Sequence, residues 1–244
     1  MSEKKTQIVF SFIVLILAYF YYKVDFGAGS TDKVFITITT FMFSIFAGFF
    51  ITRQGSRYTK IREIISTFDG KMTGIYRAAI NISQQLHQDI GKILVNHYEK
   101  LIKSKQWDYH ISNKSSTITD LHILLEKNIG DTKEEALRAQ AISRILTNLG
   151  DCQVLRKNMI MTFYEEMLPF QWYLIIFFAG ILIATISIIP SVASVFLSLL
   201  KASFAVTVLS VIVILRDLDN LNLFEEFIGE NSAKDVLQII SGNK

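Results

Sequence analysis

The residues of this chain that could do chemistry are few, and their spacing does not build an enzyme site. His87 and His97 are ten residues apart, which puts them on different faces of a helix with 3.6 residues per turn, so they are poor joint metal ligands. No HExxH, CxxC or glycine-rich phosphate loop occurs, and no serine or cysteine lies in a recognisable nucleophile turn. We therefore expect neither enzymatic activity nor a cofactor. The remaining histidines are His110 and His122.

A group of carboxylates near residue 220 is the one candidate for a metal site. Hard cations such as calcium prefer several oxygen ligands. The spacing does not match an EF-hand loop, and a solvated helix with salt bridges is the alternative interpretation, so we expect no bound metal. The only cysteine is Cys152, which excludes an internal disulfide. The metal candidates by composition are Asp217, Asp219, Glu225 and Glu226.

Two features of apolar segments could bear on ion movement. Lys201 lies inside a long apolar run, where its ammonium either reaches the outer membrane interface or faces an aqueous vestibule and attracts anions. Phe41, Ile45 and Phe49 recur at i, i+4 and i+8 and form nearly one line on a helix. This line is either a lipid or helix contact or, in a ring of subunits, a set of apolar collars that gate by excluding water.

The elements that would position these residues are four apolar runs arranged in two pairs, at residues 8–22, 34–52, 172–189 and 192–215. About 20 apolar residues cross a hydrocarbon core of about 30 Å. The first run is shorter, and a signal peptide is the competing interpretation, but its tyrosines resemble an interfacial aromatic belt. The pattern predicts an all-α integral membrane protein with four transmembrane helices in two pairs and a long-helix cytoplasmic domain between them.

Basic residues predict the orientation, because they concentrate on the cytoplasmic side of membrane helices. They precede the first run, follow the second and fourth, and lead toward the third. Both termini and the insert are therefore predicted to be cytoplasmic. The net charge of +3 reflects this bias, so no nucleic-acid partner is expected. The basic residues after the second run that we predict to line a vestibule are Arg57, Lys60 and Arg62.

The polar insert is predicted to be helical throughout. Apolar residues recur at steps of three and four from residue 61 to 82, and a second helix is expected over 83–103. A Ser- and Thr-rich loop over 112–119 precedes a short helix capped by Thr119 or Asp120, and a long helix then runs toward Pro169. The predicted parts of the chain are 1–52 and 169–216 for the two helix pairs, 53–168 for the cytoplasmic domain and 217–244 for a cytoplasmic tail.

Several short motifs occur in a fixed order and together resemble the bestrophin-like family of bacterial membrane proteins. The resemblance covers about residues 35–240. It is carried by Gly48-Phe49, Gly74-Ile75-Tyr76-Arg77, Tyr98 with Trp107, Leu168-Pro169 followed by Trp172, and Leu215-Arg216-Asp217-Leu218-Asp219.

The resemblance implies a subunit of a homopentameric channel that conducts chiefly anions such as chloride through one central pore lined by the second helix. It places Phe41, Ile45 and Phe49 at the apolar neck of that pore. The implied location is the bacterial inner membrane, and the implied partners are lipid, further copies of the chain in a ring, and small inorganic ions. Residues 217–226 fall where animal bestrophins hold calcium, but the dense acidic run of those proteins is absent here.

Two other functions fit the layout of the four runs. A non-conducting module could use its helical insert to bind a cytoplasmic partner, with the membrane helices as an anchor. A proton-driven stator of the flagellar type shares the two-plus-two arrangement, but its Gly- and Pro-rich segments in the third and fourth helices are missing here. The oligomeric state distinguishes these alternatives, because only a closed ring supplies an axial path for ions.

Overall fold

A computed structural model describes residues 3–23, 33–106, 116–128, 136–188, 195–222 and 228–242, and these residues form helices and their connections with no strand. The predicted all-α class is confirmed. Trp107, His110, Glu225 and Glu226 lie outside the described residues. The helices are α1 (Glu3–Lys23), α2 (Lys33–Ala79), α3 (Gln84–Ser104), α4 (Thr117–Asn128), α5 (Ala136–Phe163), α6 (Pro169–Ile188), α7 (Val195–Asp219) and α8 (Glu230–Ser241).

Three helices in the described part of the chain are long and apolar enough to cross a membrane, namely α2 over the stretch Val34–Ala79, α6 and α7. They agree with the second, third and fourth predicted spans. The first predicted span corresponds to α1, a helix of 21 residues, and its crossing of the membrane stays a prediction. Helix α2 contains 47 residues and continues without interruption through Gly55 and Gly70.

The chain divides into two compact units. The first, here called the span unit, comprises Met1–Gly55 and Met167–Asn220. Its main core is made by one face of α2 against α6 and α7, where close van der Waals packing holds apolar helices together. Helix α1 joins through Tyr21, whose ring packs with Ala202 and Ala205 of α7. The main core contains Phe43, Ala47, Phe50, Met167, Ile175, Ala179, Leu182, Val208 and Leu215.

The second compact unit, here called the insert unit, comprises Ser56–Glu166 and Leu221–Lys244. The predicted stripe of α2 is confirmed, since Met72 and Ile75 are fully buried. Helix α3 begins after Ser83, whose hydroxyl accepts a hydrogen bond from the Leu86 N–H at 3.1 Å, as expected of an N-cap. The core is completed by Leu86, Ile90, Leu94, Tyr98, Leu121, Leu125, Ile145, Leu149, Ala233 and Val236.

The predicted start of α4 is wrong by a few residues. The helix begins at Thr117, so Thr119 and Asp120 lie in its first turn instead of capping it. The backbone N–H of Asp120 donates to the Ser116 carbonyl oxygen at 2.8 Å, and the Ser116 hydroxyl donates to the Asp120 carboxylate at 2.7 Å. Ser116 therefore forms the first hydrogen-bonded turn of α4, because both its carbonyl oxygen and its hydroxyl bond to Asp120, four residues later.

Candidate functional site

The exposed face of α2 carries the candidate pore surface. Phe41, Ile45 and Phe49, here called the apolar line, are 60%, 47% and 59% exposed. Successive residues of a helix are rotated by about 100°, so Phe43 and Phe50 lie on the opposite side, and both are buried in the span unit. One face of α2 thus holds the unit together, and the other presents three large apolar side chains that the described residues leave exposed.

Small residues beside the apolar line leave room for a close neighbour. A side chain at Gly48 would meet nothing within 4 Å. The Ser44 hydroxyl donates to the Thr40 carbonyl oxygen at 2.9 Å, so its polar group is satisfied inside the helix. Small residues of this kind permit close approach of helices in a membrane. The face can therefore accept another helix without rearrangement of its own hydrogen bonds.

Arg57, predicted to line a vestibule, is only 3% exposed. Its Nε donates to the Thr162 carbonyl oxygen at 3.0 Å, and an Nη donates to the Phe163 carbonyl oxygen at 2.6 Å. These carbonyls are at the C-terminal end of α5, where backbone acceptors lack partners within the helix and a cation is stabilised by the helix dipole. The guanidinium thus caps α5 inside the insert unit.

The other two predicted vestibule residues of α2 are at the surface. Lys60 is exposed, and its ammonium lies 3.8 Å from a carboxylate oxygen of Glu165. Arg62 is exposed as well. A solvent-exposed ion pair at this separation contributes about 0–1 kcal/mol, so Lys60 is held only weakly. Both side chains can add positive potential to the surrounding solution.

Lys201 is 3% exposed in the chain. Its ammonium lies 5.9 Å from the centroid of the Tyr21 ring, a distance at which a cation is attracted to an aromatic face. The Tyr21 hydroxyl in turn shares a hydrogen bond with the Ser187 hydroxyl at 3.1 Å. Lys201 also lines a cavity of about 370 Å³ together with Phe204 and Thr207. The lysine thus lies where α1, α6 and α7 meet.

The carboxylates proposed as metal candidates act in part as hydrogen-bond acceptors. Asp219 accepts from the Met167 backbone N–H at 3.0 Å and from the Trp172 indole N–H at 3.2 Å. These contacts hold the end of α7 against the start of α6. Within the ranges that the structure describes, no group of three or more His, Cys, Asp or Glu side chains could hold a metal ion.

His87 and His97 also have structural contacts. His87 stacks on Tyr76 with ring centroids 4.0 Å apart, and its Nδ1 lies 2.9 Å from the Tyr76 carbonyl oxygen. The Nδ1 of buried His97 lies 2.8 Å from the Thr117 hydroxyl. Burial raises the pKa of the Cys152 thiol to about 12, so this thiol is protonated at neutral pH and unreactive.

One polar cluster in the insert unit was not foreseen from the sequence. Asp69 of α2 is 5% exposed and accepts hydrogen bonds from the Tyr98 hydroxyl at 2.7 Å and the Ser232 hydroxyl at 2.5 Å. The only local signal was a carboxylate inside an apolar stripe, next to Phe68. Because its partners are 29 and 163 residues away along the chain, helical periodicity could not reveal them.

The short motifs that suggested a family have defined contacts in the structure. A side chain at Gly74 would come 2.9 Å from the Asn148 amide nitrogen, so glycine permits the close approach of α5. Tyr98 donates to Asp69, and Trp172 donates to Asp219. The motif residues thus join elements that are distant in sequence within each unit.

Comparison with known proteins agrees with these motifs. The model of the Bestrophin-like domain matches residues 8–221, which is most of the chain and includes the apolar line. No curated protein and no solved structure shows significant similarity to the chain. The chain therefore belongs to the bestrophin-like family, and this membership indicates a membrane protein of the ion-channel kind.

Proposed function

We propose that the chain is one subunit of an oligomeric, anion-conducting channel of the bacterial inner membrane, with α2 lining the pore. The observation that supports this proposal is the exposure of the apolar line on the face of α2 that the span unit leaves uncovered. Four helices are too few to enclose a water-filled pore, so conduction needs several subunits around an axis. Resemblance to the bestrophin-like family favours five.

In this arrangement the apolar line forms the narrowest part of the pore. Copies of Phe41, Ile45 and Phe49 from each subunit would form stacked apolar rings, and such rings exclude water until the pore widens. The exposed glycine and serine on the adjacent turns, Gly48 and Ser44, would allow neighbouring copies of α2 to approach closely.

Positive charge supports a preference for anions such as chloride. Exposed Lys60 and Arg62 follow the apolar part of α2 and would raise the local anion concentration at the cytoplasmic mouth. Arg57 is buried and caps α5, so it does not add to this exposed positive charge. Lys201 would add a fixed positive charge within the span unit. Basic residues after the apolar part of α2 and at the end of α7 favour a cytoplasmic location for both termini and the insert unit.

The test is ion flux into liposomes that contain the purified protein. The combined variant Phe41→Ala, Ile45→Ala and Phe49→Ala removes the apolar rings, and we expect anion flux to rise several-fold. The matched control is Phe170→Ala, Ile176→Ala and Phe177→Ala, which truncates the same residue types at exposed positions of α6 and should leave flux unchanged.

The oligomer must be verified for each variant by mass measurement in detergent. A closed ring with an axial cavity, together with higher flux for the α2 variant alone, supports the proposal. Equal flux through the wild type and both variants in intact rings would remove the apolar line as the gate. A monomer, or a dimer without an axial path, would favour the non-conducting module.

A further inference from the structure

Asp69 connects three helices of the insert unit through one carboxyl group. It belongs to α2, Tyr98 belongs to α3, and Ser232 belongs to the first turn of α8. Each carboxyl oxygen accepts one hydroxyl, Oδ1 from Tyr98 and Oδ2 from Ser232. Among the described residues this carboxyl has no ion pair. It is therefore an acidic group, buried in an apolar core, whose charge is balanced only by two hydroxyl donors.

The charged and titratable groups around Asp69 do not supply a compensating cation. On α3, His97 adjoins Tyr98 and is hydrogen bonded to Thr117. On α5, Cys152 is a neutral thiol and Asp151 is paired with Lys71 of α2 at 2.7 Å. On α8, the carboxylate of Asp235 repels the ionised form of Asp69.

The environment makes protonation of Asp69 favourable. Burial raises the pKa of Asp69 from 3.8 to about 6, although hydrogen bonds from Ser232 and Tyr98 act in the opposite direction. A buried carboxylate is costly because it loses hydration. Helix α8 covers one side of this carboxyl, so its departure would admit water and return the pKa toward the ordinary value.

The remaining contacts of α8 are apolar packing against the core of the insert unit and one hydrogen bond. Ala233 and Val236 enter the core of the insert unit, and the Ile240 carbonyl oxygen accepts a long hydrogen bond from the Tyr76 hydroxyl at 3.3 Å. At the start of α8, Gly229 lies against Ile65. A 12-residue helix is too short to be stable alone in water, so these contacts and the Asp69 cluster determine whether it stays docked.

We propose that Asp69 is a proton-sensitive latch for α8, with the protonated carboxyl favouring the docked helix and the ionised carboxyl favouring its release. The direction follows from linkage, since the docked state binds the proton more tightly than the undocked state. The stabilisation is complete below about pH 4 and is lost as the pH rises through about 6. The latch concerns the insert unit and does not depend on whether the chain conducts ions.

Hydrogen exchange of the full-length protein in detergent tests this latch. Amides of α8 are measured between pH 4.5 and 8 and corrected for the intrinsic pH dependence of exchange. For the wild type we expect protection of α8 to fall roughly 10- to 100-fold as the pH rises across this range. Asp69→Asn removes the titration and should keep α8 protected at every pH. The matched control Asp89→Asn changes a partly exposed carboxylate of α3 that pairs with Lys92, and it should retain the wild-type profile.

A second variant keeps the carboxyl and moves its titration. Ser232→Ala removes a hydrogen bond that favours the ionised form, so the midpoint of the protection change should move to higher pH. The latch is overturned if protection of α8 in the wild type does not change with pH or becomes weaker in acid. It is also overturned if Asp69→Asn shows the same midpoint as the wild type. If Asp69→Asn does not fold, Ser232→Ala provides the test. An unchanged or lowered midpoint of the protection change in that variant also overturns the latch.

Discussion

An Nη of Arg57 lies 2.6 Å from the carbonyl oxygen of Phe163, the last residue of α5. The contact joins residues that are 106 positions apart and places a buried guanidinium at the negative end of a helix dipole. A basic residue that follows the apolar part of α2 thus has structural partners at the end of α5.

Arg57→Gln should destabilise the insert unit. The variant removes hydrogen bonds from a charged donor to two helix-end carbonyls, and loss of such bonds costs about 1.5–3 kcal/mol. Unfolding in detergent, followed by the loss of helical signal, measures the difference. Arg62→Gln is the matched control, because Arg62 is exposed and its replacement should change the free energy of unfolding by less than about 0.5 kcal/mol. Equal effects of the two variants would contradict the capping role.

The contact between Trp172 and Asp219 should be measurable as a coupling energy. Trp172→Phe keeps most of the ring and removes the indole donor, at a cost of roughly 1–3 kcal/mol because the acceptor is charged. Asp219→Ala should cost more, since the Met167 N–H also loses its acceptor. The double variant should cost less than the sum. Asp217→Ala, two residues earlier in α7, serves as control, and strict additivity would argue against the contact.

Gly229→Ala should weaken the docking of α8. Gly229 has φ +86, and an added Cβ would lie 2.7 Å from Ile65 Cγ2. The left-handed conformation alone costs an alanine about 1–2 kcal/mol. Gly242→Ala is the matched control, because Gly242 has φ +74 with open space around it. Thermal unfolding should therefore show a larger loss for Gly229→Ala, and equal losses would mean that the Ile65 contact contributes nothing.

Helix α1 should remain part of the mature protein. Tyr21 packs with Ala202 and Ala205 of α7 and shares a hydrogen bond with Ser187 of α6, so removal of α1 would uncover this surface and Lys201. Intact mass spectrometry of membrane-purified protein should show residues 3–23 still attached. A shortened mass that corresponds to cleavage after the first apolar run would instead support a signal peptide.

Helical periodicity predicted α2 and α3 well, because their apolar residues repeat over many turns and Ser83 gives an unambiguous cap. The start of α4 was misplaced because Ser116, Thr117 and Thr119 have similar local capping tendencies. The choice among them depends on how the helix packs, which no local signal encodes.

Whether each basic residue is buried or exposed was harder to predict from the sequence. Arg57, Lys60 and Arg62 follow the same apolar run, yet only Arg57 is buried. Its partners come from α5, about 105 residues later. The apolar line was identifiable because its spacing gives one helical face, whereas the periodicity of one chain does not say what packs against that face.

The insert unit consists of two segments that are separated in the sequence, so they are synthesised at different times. Ala233 and Val236 complete its core, but α8 leaves the ribosome only after α6 and α7 have been made. While those apolar helices enter the membrane, the surface of α2 and α3 that later receives α8 is open to water. Asp69 is then in contact with water, so the docking of α8 removes hydration from its carboxyl.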